Sequence, residues 1–294
     1  MPFKSGYVAI IGRPNVGKST LLNTMLGEQL AIVTPKPQTT RHKITGILNQ
    51  NDAQIIFLDT PGYHESSKPL NQFMNEVVDS VINDADVVCL MVEADNRDVE
   101  EEKELFDRIG SDRTIVVVNK ADKVNRDKYN DIALRFKNEW GAKELAIISA
   151  LNNIGVITLV DAIKKRLPEG EAFFPVDEYT THNMRFIASE IVREQVFLQM
   201  QQEIPYSTAI RIEDYKDATQ ENPVTRIKAV IVIEKESQKG MVIGKGGARI
   251  KEIGKRARQK IEEIVGGKVY LELFVKVEEN WTKDGGKIRE LMGD

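Results

Sequence analysis

The sequence has one cysteine, Cys89, and three histidines, His42, His64 and His182. A single thiol excludes an intramolecular disulfide. Cys89 sits in "VVCLMV" and reads as a small core residue on a buried strand, and a lone thiol fits a reducing cytoplasm. The histidines fall in loops, and nothing around them resembles a Ser/His/Asp triad or a structural zinc site. No apolar run approaches the roughly 20 residues that span a bilayer, and no signal-peptide pattern opens the chain. Internal repeats and low-complexity tracts are absent. A basic excess is missing too: 41 Lys and Arg against 45 Asp and Glu leave a net charge of −4. The chain as a whole therefore lacks the charge of a nucleic-acid binder.

That average hides two opposed stretches. Residues 93–107, "EADNRDVEEEKELFD", are acidic and read as a solvated loop and helix face. Residues 239–260, "KGMVIGKGGARIKEIGKRARQK", carry eight Lys or Arg against one acid, Glu252.

A chain of 294 residues is long enough for about two domains. In the first half short apolar runs read as buried strands: "YVAII" (7–11), "QIIFLD" (54–59), "DVVCLMVE" (86–93), "TIVVVNK" (114–120) and "ELAIIS" (144–149). Helical spacing over 18–27, 70–83, 99–110, 127–140 and 154–167 separates most of them. Such alternation predicts an α/β domain with a mostly parallel sheet and helices on both faces. "QNDAQ" after "KITGILN" predicts a hairpin, hence one antiparallel edge strand. The aperiodic "LPEGEAFFPVDEYTTHN" (167–183) reads as a linker, which sets domains at 1–170 and 184–294 joined through 171–183. Beyond it the order is helix, strand, strand, helix, helix, strand, an α+β domain with a small sheet. Ile187, Ile191 and Leu198 are predicted on one face of its first helix.

"GRPNVGKS" fits G-x-x-x-x-G-K-[ST] between a strand and a helix, the context a phosphate-binding loop requires. Gly12 and Gly17 let backbone amides turn toward phosphate oxygens, and the following helix presents its N–H groups. Lys18 reaches the β- and γ-phosphates, and the Ser19 hydroxyl can ligate Mg²⁺. "DTPG" ends a strand, so Asp59 can hold Mg²⁺ and Gly62 can offer its N–H to the γ-phosphate. In "QTTR" (38–41), Thr40 is favoured over Thr39 to close on the cation. "NKAD" (119–122) reads the base: the Asp122 carboxylate accepts from the N1–H and amino group of guanine, a pair adenine lacks. Asn119 braces the site, the Lys120 stem packs on the ring, and "SAL" (149–151) can point an N–H at O6. The expected nucleotide-binding set is Gly12, Arg13, Pro14, Asn15, Val16, Gly17, Lys18, Ser19, Thr20, Asp59, Thr60, Pro61, Gly62, Tyr63, Asn119, Lys120, Ala121, Asp122, Ser149, Ala150 and Leu151. Within it Lys18, Thr40 and Gly62 are the candidates for catalysis. In order, each at the carboxyl end of a strand, these motifs specify a GTP-binding domain. One feature departs from Ras-type GTPases: Tyr63 stands where those place a water-orienting glutamine. His64, beside it, is a candidate base in its place, with an exposed loop residue as the plainer reading.

The basic stretch contains G-x-x-G as Gly244, Lys245, Gly246 and Gly247, the loop with which KH domains clamp single-stranded nucleic acid. Ile243, Arg249, Lys251, Lys255, Arg256 and Arg258 extend that candidate RNA-binding face. Two strands before the loop match a type II KH arrangement. Across nearly its whole length, through "GRPNVGKST", "PQTTRH", "DTPGYH", "NKAD", "SAL" and "VIGKGG", the chain resembles the bacterial Era GTPases. That resemblance implies a GTP-hydrolysing switch that binds the 3′ end of small-subunit ribosomal RNA and assists small ribosomal subunit assembly. It also implies a monomer in the cytoplasm, with some peripheral association with the inner membrane. In related GTPases an asparagine at the place of Asn15 ligates K⁺. The alternative is a GTPase that signals through a protein or membrane partner, with the KH-like domain as a protein dock. The tail "NWTKDGGKIRELMGD" leaves two readings for Trp281: packing in the core, or stacking on RNA.

Overall fold

Strand and helix alternate as the apolar runs predict. The computed structural model describes residues 2–64, 66–95 and 99–293. Residues 96–98 of the acidic stretch lie outside that set. The chain divides into two units, the first of residues 1–66 and 74–181, the second of 67–73 and 182–294.

The first unit is built on β1 (Lys4–Gly12), α1 (Lys18–Leu26), β2 (Ile44–Gln50), β3 (Ala53–Asp59), α2 (Pro69–Asp84, whose first turn belongs to the second unit), β4 (Val87–Glu93), α3 (Glu100–Ile109), β5 (Thr114–Asn119), α4 (Arg126–Glu139), β6 (Leu145–Ile147) and α5 (Val156–Arg166). The strands form one sheet in the order β2-β3-β1-β4-β5-β6. Every neighbouring pair is parallel except β2 and β3, the expected hairpin, which closes where Gln50 pairs with Ala53. Both faces are dry. Ala9, Ile11, Val88, Leu90 and Val116 pack with Val78, Leu105 and Phe136 on one side. Alternation turns Val8, Ile10, Phe57 and Val117 to the other side, where they too are fully buried. There α1 and α5 pack together, and Gly46 leaves room for Leu22 and Leu26.

Because the strands run parallel, β1, β3 and β5 end on one edge of the sheet, at Gly12, Asp59 and Asn119. That register places the motifs side by side. Segment 167–181 lies along the same unit. Gln54, fully buried, accepts from the N–H groups of Phe173 (2.7 Å) and Phe174 (2.9 Å) and donates to the Phe174 carbonyl (2.7 Å). Thr180 bridges to Gly46, and Ile47 N–H donates to the Tyr179 carbonyl (2.8 Å). This strip covers the outer edge of β2, which would otherwise expose unpaired backbone.

The second unit contains α6 (Met184–Gln199), β7 (Ala209–Lys216), β8 (Val224–Ile233), α7 (Glu236–Ile243), α8 (Ala248–Val265), β9 (Lys268–Val277) and α9 (Gly285–Met292). Its sheet order is β7-β8-β9, with the first pair antiparallel and the second parallel. The helix α8 buries Ile253, Ala257 and Ile261, spaced four apart. In α6, Ile187 and Ile191 are buried as predicted, but Leu198 is 46% exposed. The helix instead buries a broad surface that includes Val192, Val196 and Phe197, so a single stripe was too narrow a description. The tail closes the core: Trp281 is wholly buried with Ala209, Val230, Val232, Ile288 and Met292, and its indole N–H donates to the Ser207 carbonyl (3.0 Å). Of the two readings of Trp281, core packing is the one the structure shows.

Trp281→Ala should therefore cost about 3–5 kcal/mol of stability, the range for emptying a large aromatic site. Trp281→Phe should cost less. Urea unfolding of both variants, followed by circular dichroism, checks the ranking.

Candidate nucleotide site and basic groove

The loop between β1 and α1 folds through conformations that glycine adopts freely: Gly12 has φ 146° and Gly17 φ 102°. A Cβ on Gly17 would lie 2.3 Å from the Asn119 amide nitrogen, so only glycine fits there. Asn15, at φ 65°, takes the left-handed conformation that asparagine tolerates. The loop wraps the Lys18 ammonium, which donates to the carbonyls of Gly12 and Arg13, both at 2.9 Å. Burial lowers the Lys18 pKa to about 8, partly offset by the charge of Asp59.

Ser19 donates to the Asp59 carboxylate (2.6 Å) and lies 2.7 Å from the Thr40 hydroxyl. Thr39 instead bonds Thr34 and the Lys36 carbonyl, so of the two threonines Thr40 is the one at Ser19. Asp59 is fully buried, and its second oxygen has no partner among the described residues. Burial pushes its carboxyl up to about 6 against the pull of Lys18 and Ser19. Two hydroxyls and an under-satisfied buried carboxylate are hard oxygen donors of the kind a magnesium ion takes, so the residues fit that ion.

Thr60 is buried and donates to the Ile10 carbonyl (2.8 Å), and Pro61 is buried beside it. Gly62 lies so close to Pro14 that a Cβ would meet it at 2.6 Å. Tyr63 turns away, packing on the sheet core with Arg108 over its ring. His64 is half-buried rather than exposed, and its Nε2 lies 3.0 Å from the Gln38 amide nitrogen. Arg13 also turns from the cleft, to Glu101 (2.9 Å) and Glu102 (3.5 Å). Glu102 is fully buried, so the acidic stretch is not solvated throughout; part of it anchors the phosphate loop.

Beside Lys120, and outside the cleft lining itself, Asn119 donates to the Val16 carbonyl (2.7 Å) and accepts from Ala150 N–H (2.9 Å), tying three loops together. Lys120 stands at φ 62° and pairs with Glu93 (2.9 Å). Ala121 N–H donates to the Ile148 carbonyl (3.1 Å), and Asp122, exposed, accepts from Ser149 (2.5 Å). Leu151 is 78% exposed. Pro14, Asn15, Gly17, Lys18, Ser19, Thr20, Thr40, Gly62 and Lys120 line a cleft of about 340 Å³, within the usual size of a small-ligand site.

In the second unit α7 stops at Ile243, which is half-buried. Gly244 (φ 73°), Gly246 (φ 60°) and Gly247 (φ 78°) then turn the chain into α8. Lys245 and Gly246 are exposed. Arg249 folds back onto the Met241 carbonyl (2.6 Å), and Arg256 pairs with Glu252 (2.6 Å), holding that carboxyl below the usual range. Lys251, Lys255 and Arg258 rim a groove of about 380 Å³ floored by Ile250, Gly254, Leu271 and Leu273.

A family model described as 50S ribosome-binding GTPase matches residues 7–120, and a KH-domain model matches residues 203–282. GTPase Era of Syntrophus aciditrophicus is 45% identical over 98% of this chain and 94% of its own length. GTPase Era of Geobacter metallireducens is 44% identical over 99% and 98%. The chain belongs to the Era GTPase family. It is thus a GTPase with a KH domain. A variant of Aquifex aeolicus Era, solved bound to GDP·AlF4⁻, superposes with a TM-score of 0.93 at 41% identity, covering 98% of this chain and 99% of that one. Era solved with MgGDPNP and nucleotides 1506–1542 of 16S ribosomal RNA superposes at 0.92, again with 41% identity and 98% coverage of both chains.

The sequence reading missed Gln38, whose amide carries no motif of its own. It missed the groove floor as well, because Gly254, Leu271 and Leu273 meet only once β9 packs on α8.

The buried Asp59 makes the nucleotide-free protein sensitive to pH. Its pKa is raised in the fold from 3.8, so between roughly pH 4 and 6 the unfolded chain sheds this proton first. Stability then falls as pH rises through that window and levels off above it. Moving a carboxyl from 3.8 to about 6 corresponds to about 3 kcal/mol. Asp59→Asn should stabilise the nucleotide-free protein at pH 8 by up to that amount, with the gap closing near pH 4. Denaturant melts at both pH values measure it.

Proposed function

We propose that this GTPase binds single-stranded RNA, the 3′ end of small-subunit ribosomal RNA, as a nucleotide-controlled step in small ribosomal subunit assembly. The observation that carries the reading is the basic, apolar-floored groove behind an exposed G-x-x-G loop. Ammonium and guanidinium groups on its rim suit phosphates, and Ile250, Leu271 and Leu273 offer an apolar bed for bases. The related Era solved with 16S ribosomal RNA supports that choice of ligand over a protein dock. The "50S" description of the family model covers only residues 7–120, which hold none of this groove. We assign GTP binding to residues 1–170 and RNA binding to 184–294, joined through 171–183. The lone buried Cys89 suits the cytoplasm; a monomer with peripheral membrane association is what family resemblance suggests. No described helix is long and apolar enough to cross a membrane.

Asp122 selects guanine, and Asn119 holds the base loops against the phosphate loop. Lys18 and the amides of Gly12–Ser19 take the phosphates. Ser19, Thr40 and Asp59 would hold Mg²⁺, whose charge offsets that developing on the phosphate oxygens. Gly62 N–H would donate to the γ-phosphate. Asn15, which lines the cleft in a left-handed turn, would ligate a K⁺ ion beside the phosphates.

Filter binding of a 16S 3′-end oligonucleotide tests the RNA assignment. Lys245→Asp with Gly246→Asp should sharply weaken binding. The slope of log affinity against log salt should become shallower by about 1 for each phosphate no longer neutralised. Full-strength binding with an unchanged salt slope would place the RNA elsewhere.

The K⁺ assignment has its own test. Hydrolysis should run on the order of tenfold faster in K⁺ than in Na⁺ at equal ionic strength, as expected for a fixed charge at the transition state. Phosphate-release assays should show that difference vanish in Asn15→Ala. Equal rates in both salts for the unaltered protein would remove the cation.

A further inference from the structure

Hydrolysis requires a water aligned with the γ-phosphorus. As its oxygen bonds to phosphorus, the bond to the β,γ-bridging oxygen breaks and a water proton passes to the released phosphate. Many GTPases align that water with a glutamine after the glycine equivalent to Gly62. Here Tyr63 occupies that place, and its ring packs on the sheet core under Arg108. It cannot reach into the cleft.

Among the described residues, two side-chain amides line the cleft, Asn15 and Gln38. Asn15 belongs to the phosphate loop. Gln38 stands two residues before Thr40 and shares the cleft wall with Thr40 and Gly62, the side on which a water would approach the γ-phosphate. Three features mark it as more than a loop residue. Its backbone has φ 56°, a left-handed conformation costly for glutamine and characteristic of residues held for a purpose. Its amide nitrogen is 3.0 Å from His64 Nε2. Its carbonyl oxygen makes no hydrogen bond among the described residues.

The imidazole explains the arrangement. With the proton on Nδ1, His64 points it at the Gly62 carbonyl, 3.4 Å away, and Nε2 accepts from the Gln38 amide. Asn75 donates to the His64 carbonyl (3.0 Å) and steadies that turn. One end of the glutamine amide is thereby fixed, and the other is left as an acceptor with no bond among the described residues, on a residue that lines the cleft.

We infer that Gln38 orients the attacking water, supplying from the loop ahead of Thr40 the amide that the position of Tyr63 lacks, while His64 is a positioning residue that holds it. The inference rests on the cleft holding GTP.

Single-turnover GTP hydrolysis and the affinity for a fluorescent non-hydrolysable GTP analogue, on the full chain, test it. Gln38→Ala should slow hydrolysis roughly 10²-fold, the scale for losing one aligned polar group, with affinity within about threefold of wild type. Gln38→Asn tolerates the left-handed backbone and keeps an amide, but is one methylene too short. It should be slow as well, which separates reach from backbone strain. His64→Ala should give a smaller loss, and His64→Gln should recover much of it, because its side-chain carbonyl can accept the same bond. Adding His64→Ala to Gln38→Ala should slow the reaction no further. A wild type that binds and hydrolyses GTP, with Gln38→Ala within about twofold of it, would overturn this inference and leave the nucleotide reading standing. A wild type that binds no GTP would remove both.

Discussion

A buried ammonium and a buried carboxylate lie beside one cleft, linked to it through Lys18 and Ser19, and the chain alone satisfies neither fully. Lys18 has two backbone carbonyls where three donors want acceptors. Asp59 has one oxygen bonded to Ser19 and one without a partner among the described residues. Isolated buried charges are costly, so the fold must hold both in place against their tendency to find water or neutralise. The sheet does this. Gly12 and Asp59 end adjacent parallel strands, with Ile10 paired to Asp59, and both strands are buried on both faces. In the proposed site, phosphates and a cation would supply the missing partners and recover that cost. Stability is thereby coupled to the ligand.

Much of this was legible because it is local. The phosphate loop, "DTPG", "NKAD" and "SAL" each carry their geometry within a few residues, and strand–helix alternation sets them on one edge. The hairpin at "QNDAQ" followed from turn chemistry between two β-branched runs. The choice of Thr40 over Thr39 also agrees with where Ser19 lies. In the second unit the order of elements and the G-x-x-G loop were enough to name the KH arrangement.

What stayed hidden depends on pairs far apart in sequence. Gln54 meets Phe173 and Phe174 across about 120 residues, so an aperiodic segment that reads as a linker turns out to guard a sheet edge. Glu102 looked like one acid among many until α3 brought it to Arg13. Leu198 failed for another reason. A helix enclosed on most sides has no single apolar stripe, and extrapolating a spacing of four and seven runs past the buried arc. Gln38 and His64 form no motif; only the approach of their two loops gives them a common task.

The two proposed ligand sites solve one problem by the same backbone device, and they differ in how much room they leave. Anions are best held by amides turned outward, which requires left-handed turns that glycine adopts most freely. The phosphate loop uses Gly12 and Gly17, and the G-x-x-G loop uses Gly244, Gly246 and Gly247. At Gly17 and Gly244 the space is already filled, by the Asn119 amide and by Arg249. Those glycines are needed for packing whether or not a ligand is present. At Gly246 and Gly247 a Cβ would meet nothing within 4 Å. Internal packing therefore does not explain why the chain is bare there. The remaining demands are backbone conformation and, in the proposed reading, the approach of a ligand from outside, for which the lysine and arginine rim suits a negative charge.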